Sequence, residues 1–145
     1  MLATTHAIVG ALCATQINHP AVALITAAVS HPFLDLFPHW DFNSRWSKLS
    51  KSQKFLISVA DSALGMGIGF LLFGTRQNWV FLLLVMLAAQ WPDFLEAPYH
   101  FGYDQHWFFK GVKQLQHLWH TKAGWPWGFL PQLGIILFAF WMRLK

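Results

Sequence analysis

The chain has 145 residues, of which 55% are hydrophobic and only 11% are charged. This charged share is too low for the surface of an ordinary soluble domain, so the composition favours a helical membrane protein. The formal net charge is +4, but the basic residues lie between apolar segments, a placement that the positive-inside rule explains without nucleic acid. We therefore expect one integral-membrane helical domain over residues 1–145 and no nucleic-acid partner.

The apolar segments predict an all-α, polytopic fold with about five membrane helices. Thr4 or Thr5 is the expected N-cap of the first helix, which is short for a membrane span. Pro32 and Pro92 are expected to bend the second and the fourth helix. In the third helix, Gly65 and Gly69 form a GxxxG pattern that is suited to close helix packing. The predicted helices cover residues 5–16, 20–37, 55–73, 79–99 and 127–141.

One further segment, residues 104–122, predicts an amphipathic helix that lies flat in the headgroup region. At about 100° per residue, its apolar and its polar side chains fall on two separate arcs. Membrane lipid is therefore an expected partner. The apolar arc holds Trp107, Phe108, Val112, Leu115, Leu118 and Trp119, and the polar arc holds His106, Lys110, Lys113, His117 and His120.

The basic residues predict the orientation of the chain in an inner or plasma membrane. On this topology seven of them lie on one side, which the positive-inside rule makes cytoplasmic, and three lie on the other. The same topology brings nearly all acidic residues and histidines to the cytoplasmic side, where a polar site is expected. The seven are Arg45, Lys48, Lys51, Lys54, Lys110, Lys113 and Lys122, and the three are Arg76, Arg143 and Lys145.

The strongest candidate for a site is the row His31, Asp35 and His39 at the end of the second predicted helix. Its i, i+4, i+8 spacing places the three side chains on one helical face. Imidazole and carboxylate are the usual ligands of zinc and similar divalent metals. The alternative is a helix end that emerges into water. It suits His39, which follows Pro38, but not the two deeper residues.

A second row, Asp93, Glu96 and His100, follows Pro92 and also shares one helical face. Asp93 and His100 are candidate ligands, and Glu96 is a candidate general base if Asp93 binds the metal. An ordinary helix terminus would explain the same residues. The topology also brings His6 to this side of the membrane, where it is a further candidate ligand.

Three other features have two interpretations each. Asp61, the only acidic residue of the third predicted helix, is a candidate catalytic or ligand-supporting group, or it pairs with Lys54. His117 and His120 are candidate ligands or, with Lys110 and Lys113, contacts to a phosphate headgroup. Lys110 and Lys113 are candidate substrate-binding residues, or a wet basic face attracted to anionic lipid.

Short pieces of the chain resemble the predicted membrane-bound metal-dependent hydrolases of the YdjM-like type. The matching pieces are Thr5-His6-Ala-Ile-Val-Gly10, His31-x3-Asp35-x2-Pro38-His39 and Pro92-Asp93. That group is similar in its ligand patterns to the bacterial zinc-dependent phospholipases C. The resemblance implies one or two divalent metal ions, with zinc expected, and hydrolysis of a phosphoester. It makes His6, His31, Asp35 and Asp93 the leading ligands.

The sequence therefore favours a membrane-embedded, metal-dependent hydrolase that acts on a phosphoester, such as a phospholipid, at the cytoplasmic face. The alternative from another class is a non-enzymatic metal-binding or ion-handling membrane protein. A transporter would need polar groups on both sides of the membrane, whereas here they gather on one. A purely structural hydrogen-bonded network is the third hypothesis.

Overall fold

A computed structural model describes residues 1–42 and 46–145, and Arg45 of the basic-residue count lies outside them. Over these residues the fold is all-α, with seven helices of ten residues or more and no strand beyond an isolated bridge between His39 and Lys122. The helices are α1 (Ala3–Gln16), α2 (Pro20–Asp35), α3 (Lys51–Phe73), α4 (Trp79–Ala88), α5 (Trp91–His100), α6 (Trp107–Trp119) and α7 (Leu130–Leu144).

The prediction of about five membrane helices is wrong. Among the described residues only α3, with 23 residues, is long and apolar enough to cross a membrane, and the pair α4 and α5 gives a second span if the bent pair counts as one. The reason is length: at 1.5 Å per residue, a helix of 14 to 16 residues reaches about 21–24 Å, short of the roughly 30 Å hydrocarbon core. The segments are apolar, but polar residues and prolines end the helices before they reach the length of a span.

Helix α1 lies at the centre of the bundle and packs against α2, α3, α4 and α7. The inward side chains of α1 are small, and Ala7, Ala11 and Ala14 are fully buried. They meet larger side chains of the neighbouring helices, including Phe73 and Met86. Because the first half of α1 is almost surrounded by other helices, a polar residue such as His6 near its beginning is placed inside the protein.

The N-terminus of α1 is capped by a side chain from another helix. Thr4 and Thr5 lie within the first turn, so neither is the N-cap that the sequence predicted. Instead the Asp61 carboxylate of α3 accepts hydrogen bonds from the backbone nitrogens of Ala3, at 2.7 Å, and Thr4, at 3.3 Å, and from Thr4 Oγ1 at 2.6 Å. A carboxylate at this position satisfies free N–H groups and complements the positive end of the helix.

The fourth predicted helix is divided into α4 and α5, whose axes differ by 57°. Pro92 has no N–H to donate to the preceding turn, and the N–H of Asp93 bonds to the carbonyl of Gln90 rather than to that of Ala89. The carbonyl of Ala89 is therefore left free for a side chain at the break. The predicted bend at Pro92 is confirmed, and it is large enough to end the helix.

Close packing of α1 on α3 depends on glycine. A Cβ atom at Gly65 would overlap the backbone of Thr4, whereas a Cβ atom at Gly67 would meet nothing within 4 Å. The backbones of α1 and α3 thus lie too close together for a methyl group at residue 65.

We expect Gly65→Ala to destabilise the protein by about 1–3 kcal/mol, because α1 must move away from α3. Gly67→Ala, two residues along the same helix, is the matched control and should be neutral or stabilising, because alanine favours a helix. Thermal unfolding of the two variants in detergent checks this. Equal melting temperatures would contradict the described packing.

Candidate metal centre

Six of the predicted site residues come together in two groups of three at one end of the bundle. His6, His31 and Asp93 form group 1, and Asp35, His39 and His120 form group 2; within each group the potential ligand atoms lie within 4.8 Å of one another. The residues come from α1, α2, α5 and the segments that follow α2 and α6. Each group could hold a metal ion.

The carboxylate of Asp35 lies between the two groups. Its Oδ1 is 3.3 Å from His6 Nε2, and its Oδ2 is 3.5 Å from both His31 Nε2 and His120 Nδ1. His39 Nε2 is 3.9 Å from Oδ1. The backbone nitrogen of Met1 also contacts Oδ1, at 2.5 Å. Asp35 is only 1% exposed, so these neighbours provide the compensation that a buried carboxylate needs.

The distances in group 1 fit metal ligands better than hydrogen bonds. His31 Nε2 is 3.5 Å from Asp93 Oδ1 and from Asp35 Oδ2, which is long for a hydrogen bond. Two donors on one tetrahedral zinc ion, each about 2.0–2.1 Å from it, are about 3.3 Å apart. In addition, both ring nitrogens of His6 and Nε2 of His31 are buried without a hydrogen-bond partner. Buried polar atoms are rarely unpartnered, and a cation would satisfy them.

Two backbone carbonyls orient the histidines of α2 and of the segment after it. His31 Nδ1 donates to the carbonyl of Ala89, at 2.8 Å, which is the acceptor left free by the break between α4 and α5. His39 Nδ1 donates to the carbonyl of Phe37, also at 2.8 Å. With a proton held on Nδ1, the lone pair of a neutral imidazole is on Nε2, which faces Asp35 in both residues.

Backbone pairing brings His120 to the end of α2. The N–H of Thr121 bonds to the carbonyl of Asp35 at 3.0 Å, and the N–H of His39 bonds to the carbonyl of Thr121 at 3.0 Å. The N–H of Ala123 then bonds to the carbonyl of His39 at 2.8 Å. Residues 120–123 therefore run alongside residues 35–39, which is a contact that the helical pattern of residues 104–122 did not predict.

Asp41 and Lys122 complete the surroundings of His120. Asp41 Oδ2 is 3.1 Å from His120 Nε2 and 2.9 Å from Lys122 Nζ. Burial alone would raise the pKa of Asp41, but the hydrogen bonds from His120 and Lys122 outweigh it and hold this pKa well below its usual range. Nε2 of His120 lies beside Asp41, and the other ring nitrogen of His120, Nδ1, faces Asp35.

His39 has the electrostatic character of a metal ligand. Burial, together with the positive charge of the nearby Met1 nitrogen, lowers the pKa of His39 to about 4. The imidazole is therefore neutral at physiological pH, which is the form that binds a metal. Its Nε2 also lies 2.8 Å from His120 Nε2 and 2.8 Å from the Met1 nitrogen.

The remaining predicted residues lie outside both groups. Glu96 Oε1 bonds to His100 Nε2 at 2.7 Å and to Lys113 Nζ at 2.6 Å, so these three form a separate cluster between α5 and α6. Lys110 and His117 are exposed on α6. Asp61 caps the N-terminus of α1, the helix that carries His6. The catalytic roles of Glu96 and Asp61 and the substrate contacts of Lys110 and Lys113 stay predictions.

Two glutamines that the sequence analysis did not select hold the site in place. Gln132 of α7 is fully buried; its Oε1 accepts from the N–H of Leu2 at 3.0 Å, and its Nε2 donates to the carbonyl of Trp40 at 3.0 Å. Gln116 of α6 donates to the carbonyl of Pro92 at 2.6 Å, next to Asp93. A lone amide in an otherwise apolar helix is the signal that could have identified Gln132.

Comparison of the chain with protein-family models, with curated proteins and with solved structures found no match. Any function for the metal centre is therefore argued from its own geometry and chemistry.

We expect the ligand substitutions to separate the two groups. His31→Ala should remove the divalent metal bound by group 1 and His39→Ala that bound by group 2, while Asp35→Ala should reduce both, because its carboxylate faces both groups. Elemental analysis of protein purified in detergent and supplied with zinc measures the bound metal. His19→Ala, at an exposed histidine, is the control. Unchanged metal content in all three ligand variants would contradict the assignment.

Group 2 also depends on a close backbone approach. A Cβ atom at Gly128 would overlap backbone atoms of His39, Trp40 and Ala123, whereas one at Gly124 would meet nothing within 4 Å. Gly128→Ala should therefore displace His39 from His120 and weaken metal binding at group 2 by roughly 10-fold or more, as loss of a supporting contact does. Gly124→Ala should bind metal as the wild type does. Metal titration of both variants distinguishes them, and equal affinities would refute this role of Gly128.

Proposed function

We propose that this protein is a metal-dependent hydrolase of lipid phosphoesters that works at a membrane, with zinc as the metal. The observation that carries the proposal is the single carboxylate of Asp35, which lies 3.3–3.5 Å from imidazole nitrogens of both metal-binding groups. Two adjacent cations are a common arrangement for displacement at phosphorus. This is also the chemistry that the YdjM-like resemblance implies, and that resemblance stays a prediction.

The residues present fit a divalent metal. Each group supplies two imidazoles and a carboxylate, a mixture that suits zinc, and the unpartnered nitrogens of His6 and His31 are buried beside the carboxylates. When bound, a divalent ion lowers the pKa of a coordinated water and offsets the negative charge of a phosphate. The protein would supply the ligands, orient the imidazoles through Ala89, Phe37 and Asp41, and restrict access of water.

Access to the site is limited to one side. His6, His31, Asp35 and His39 are almost completely buried, whereas the Asp93 side chain is 39% exposed and that of His120 is 18% exposed. A substrate phosphate would therefore approach between α5 and the end of α6. Lys113 and Glu96 lie on the same two helices, which is why we retain them as candidates for binding the phosphate and for moving a proton.

The surface of α2 supports a membrane location. Its inner face carries Ala23, Ala27, His31 and Asp35 in one row, whereas its outer face is apolar and exposed. An exposed apolar stripe of this kind indicates contact with lipid or with another protein. With α3 as a span, the basic residues at its beginning would place the metal centre on the cytoplasmic side. The exposed stripe consists of Val22, Ile25, Val29 and Phe33.

We expect the purified wild-type protein, in vesicles of phosphatidylglycerol and phosphatidic acid supplied with zinc, to release phosphate or a phosphorylated headgroup. Phosphorus NMR measures this release. Asp35→Ala should lower the rate by roughly 100-fold or more, because group 2 would lose a ligand and group 1 the carboxylate that faces its imidazoles. His19→Ala, on the exposed N-cap residue of α2 at the other end of that helix from Asp35, should keep the wild-type rate.

Two outcomes would overturn the proposal in different ways. Zinc bound in stoichiometric amounts, with no hydrolysis of any phosphoester, would favour the non-enzymatic metal-binding protein. Failure to retain any divalent metal, even after zinc is supplied, would leave the imidazoles and carboxylates as a structural network.

A further inference from the structure

A small apolar cavity lies between helices that carry, or lead into, residues of both metal-binding groups. It has a volume of about 140 Å³ and lies between α2, α5 and α6, where its lining includes Pro32, Pro92, Leu95, Val112 and Trp119. We call it the α2–α5–α6 pocket. Apolar cavities of roughly this size stay free of water and accept small apolar groups.

The lining of the pocket selects against a polar ligand. Its one polar side chain, Gln116, already donates its amide nitrogen to the carbonyl of Pro92 at 2.6 Å. The indole of Trp91 donates to the carbonyl of Ala28 at 3.2 Å, and the surface that faces the pocket is apolar. An apolar chain therefore suits this lining, and a polar group would have no partner in it.

Three residues that line the pocket are chain neighbours of residues in the two metal-binding groups. Pro32 directly follows His31, Pro92 directly precedes Asp93, and Trp119 directly precedes His120. A ligand whose apolar part lies in the pocket would therefore hold its attached polar group beside residues of group 1 and of group 2. This adjacency connects the pocket to the site described above.

The outer edge of the pocket is also apolar. Trp91 and Leu115 contribute to the lining and are 46% and 50% exposed. A chain longer than the pocket would thus leave it across apolar side chains and not across a charged surface. This arrangement suits an alkyl chain that continues into a membrane, and it does not suit a short water-soluble ester.

We infer that the α2–α5–α6 pocket binds the first methylene groups of an alkyl chain of a lipid phosphoester, whose phosphate lies at the metal centre. The inference rests on the proposed function for the position of the phosphate, and it adds the part of the substrate that sets specificity. On this inference the protein recognises the alkyl chain next to the phosphate and not the headgroup.

Photolabelling tests the pocket without requiring turnover. The probe is decyl phosphate with a diazirine on its third carbon, added to the full chain in phosphatidylcholine nanodiscs, with labelled residues mapped by mass spectrometry. We expect labels on lining residues such as Leu95 and Val112. Leu95→Trp fills the pocket and should reduce this labelling at least 10-fold, whereas Leu118→Trp, on the exposed side of α6, should leave it unchanged.

Val112→Phe provides a second way of filling the pocket, so that a folding defect in one variant does not decide the result. Retained zinc content shows that either variant is folded. Labels spread equally over the exposed apolar faces, and unchanged by both filling variants, would overturn the inference. Displacement of the probe by a second copy of the chain at higher protein concentration would overturn it in favour of a dimer contact.

Kinetics separate this inference from the proposed function. With ethyl to decyl esters of nitrophenyl phosphate, kcat/KM should rise about threefold to fourfold for each methylene that enters the pocket, and Leu95→Trp should flatten this dependence. Hydrolysis of ethyl and decyl esters at equal kcat/KM would overturn the pocket while the hydrolase remains. Labelling of the pocket in protein that hydrolyses none of the esters would support the pocket while the hydrolase fails.

Discussion

The carboxylate of Asp35 has to be compensated inside the protein, and the structure around it follows from this requirement. An ionised carboxylate that is 1% exposed would cost several kcal/mol if it had no partner. Four imidazoles and the backbone nitrogen of Met1 surround it, at distances of 2.5–3.9 Å. These groups reach it from α1, α2 and the segment after α6, so the position of each of these elements is tied to one side chain.

The central position of α1 follows from small residues and one transferred cap. Alanines on α1 and Gly65 on α3 let the backbones approach, and this burial carries His6 into the interior beside Asp35. The Asp61 carboxylate satisfies the first N–H groups of α1. Packing and polar compensation therefore support each other. The helix is buried because its residues are small, and its polar N-terminal turn is tolerated there because Asp61 bonds to its N–H groups and Asp35 contacts His6.

Interrupted helices are what make a polar site in so apolar a chain. The break between α4 and α5 frees the carbonyl of Ala89 for His31 and places Asp93 at the first turn of α5. The end of α2 exposes backbone groups that pair with residues 121–123 and bring His120 to group 2. The same interruptions shorten the helices, which is why the expectation of about five membrane helices fails although the apolar surface of α2 remains.

The sequence by itself determined the helical class, most of the helix positions and the membership of His31 and Asp35 in one row. Those features are local, because hydrophobic periodicity, proline and i, i+4 spacing act within a few residues of each other. Only the tertiary structure decided that Asp61 caps α1, that Glu96 pairs with Lys113, and that Asp41 and Gln132 support the site. It also decided that Asp35 faces both groups. These contacts join residues 17 to 130 positions apart, or depend on which face of a helix is buried, and neither is encoded in local spacing.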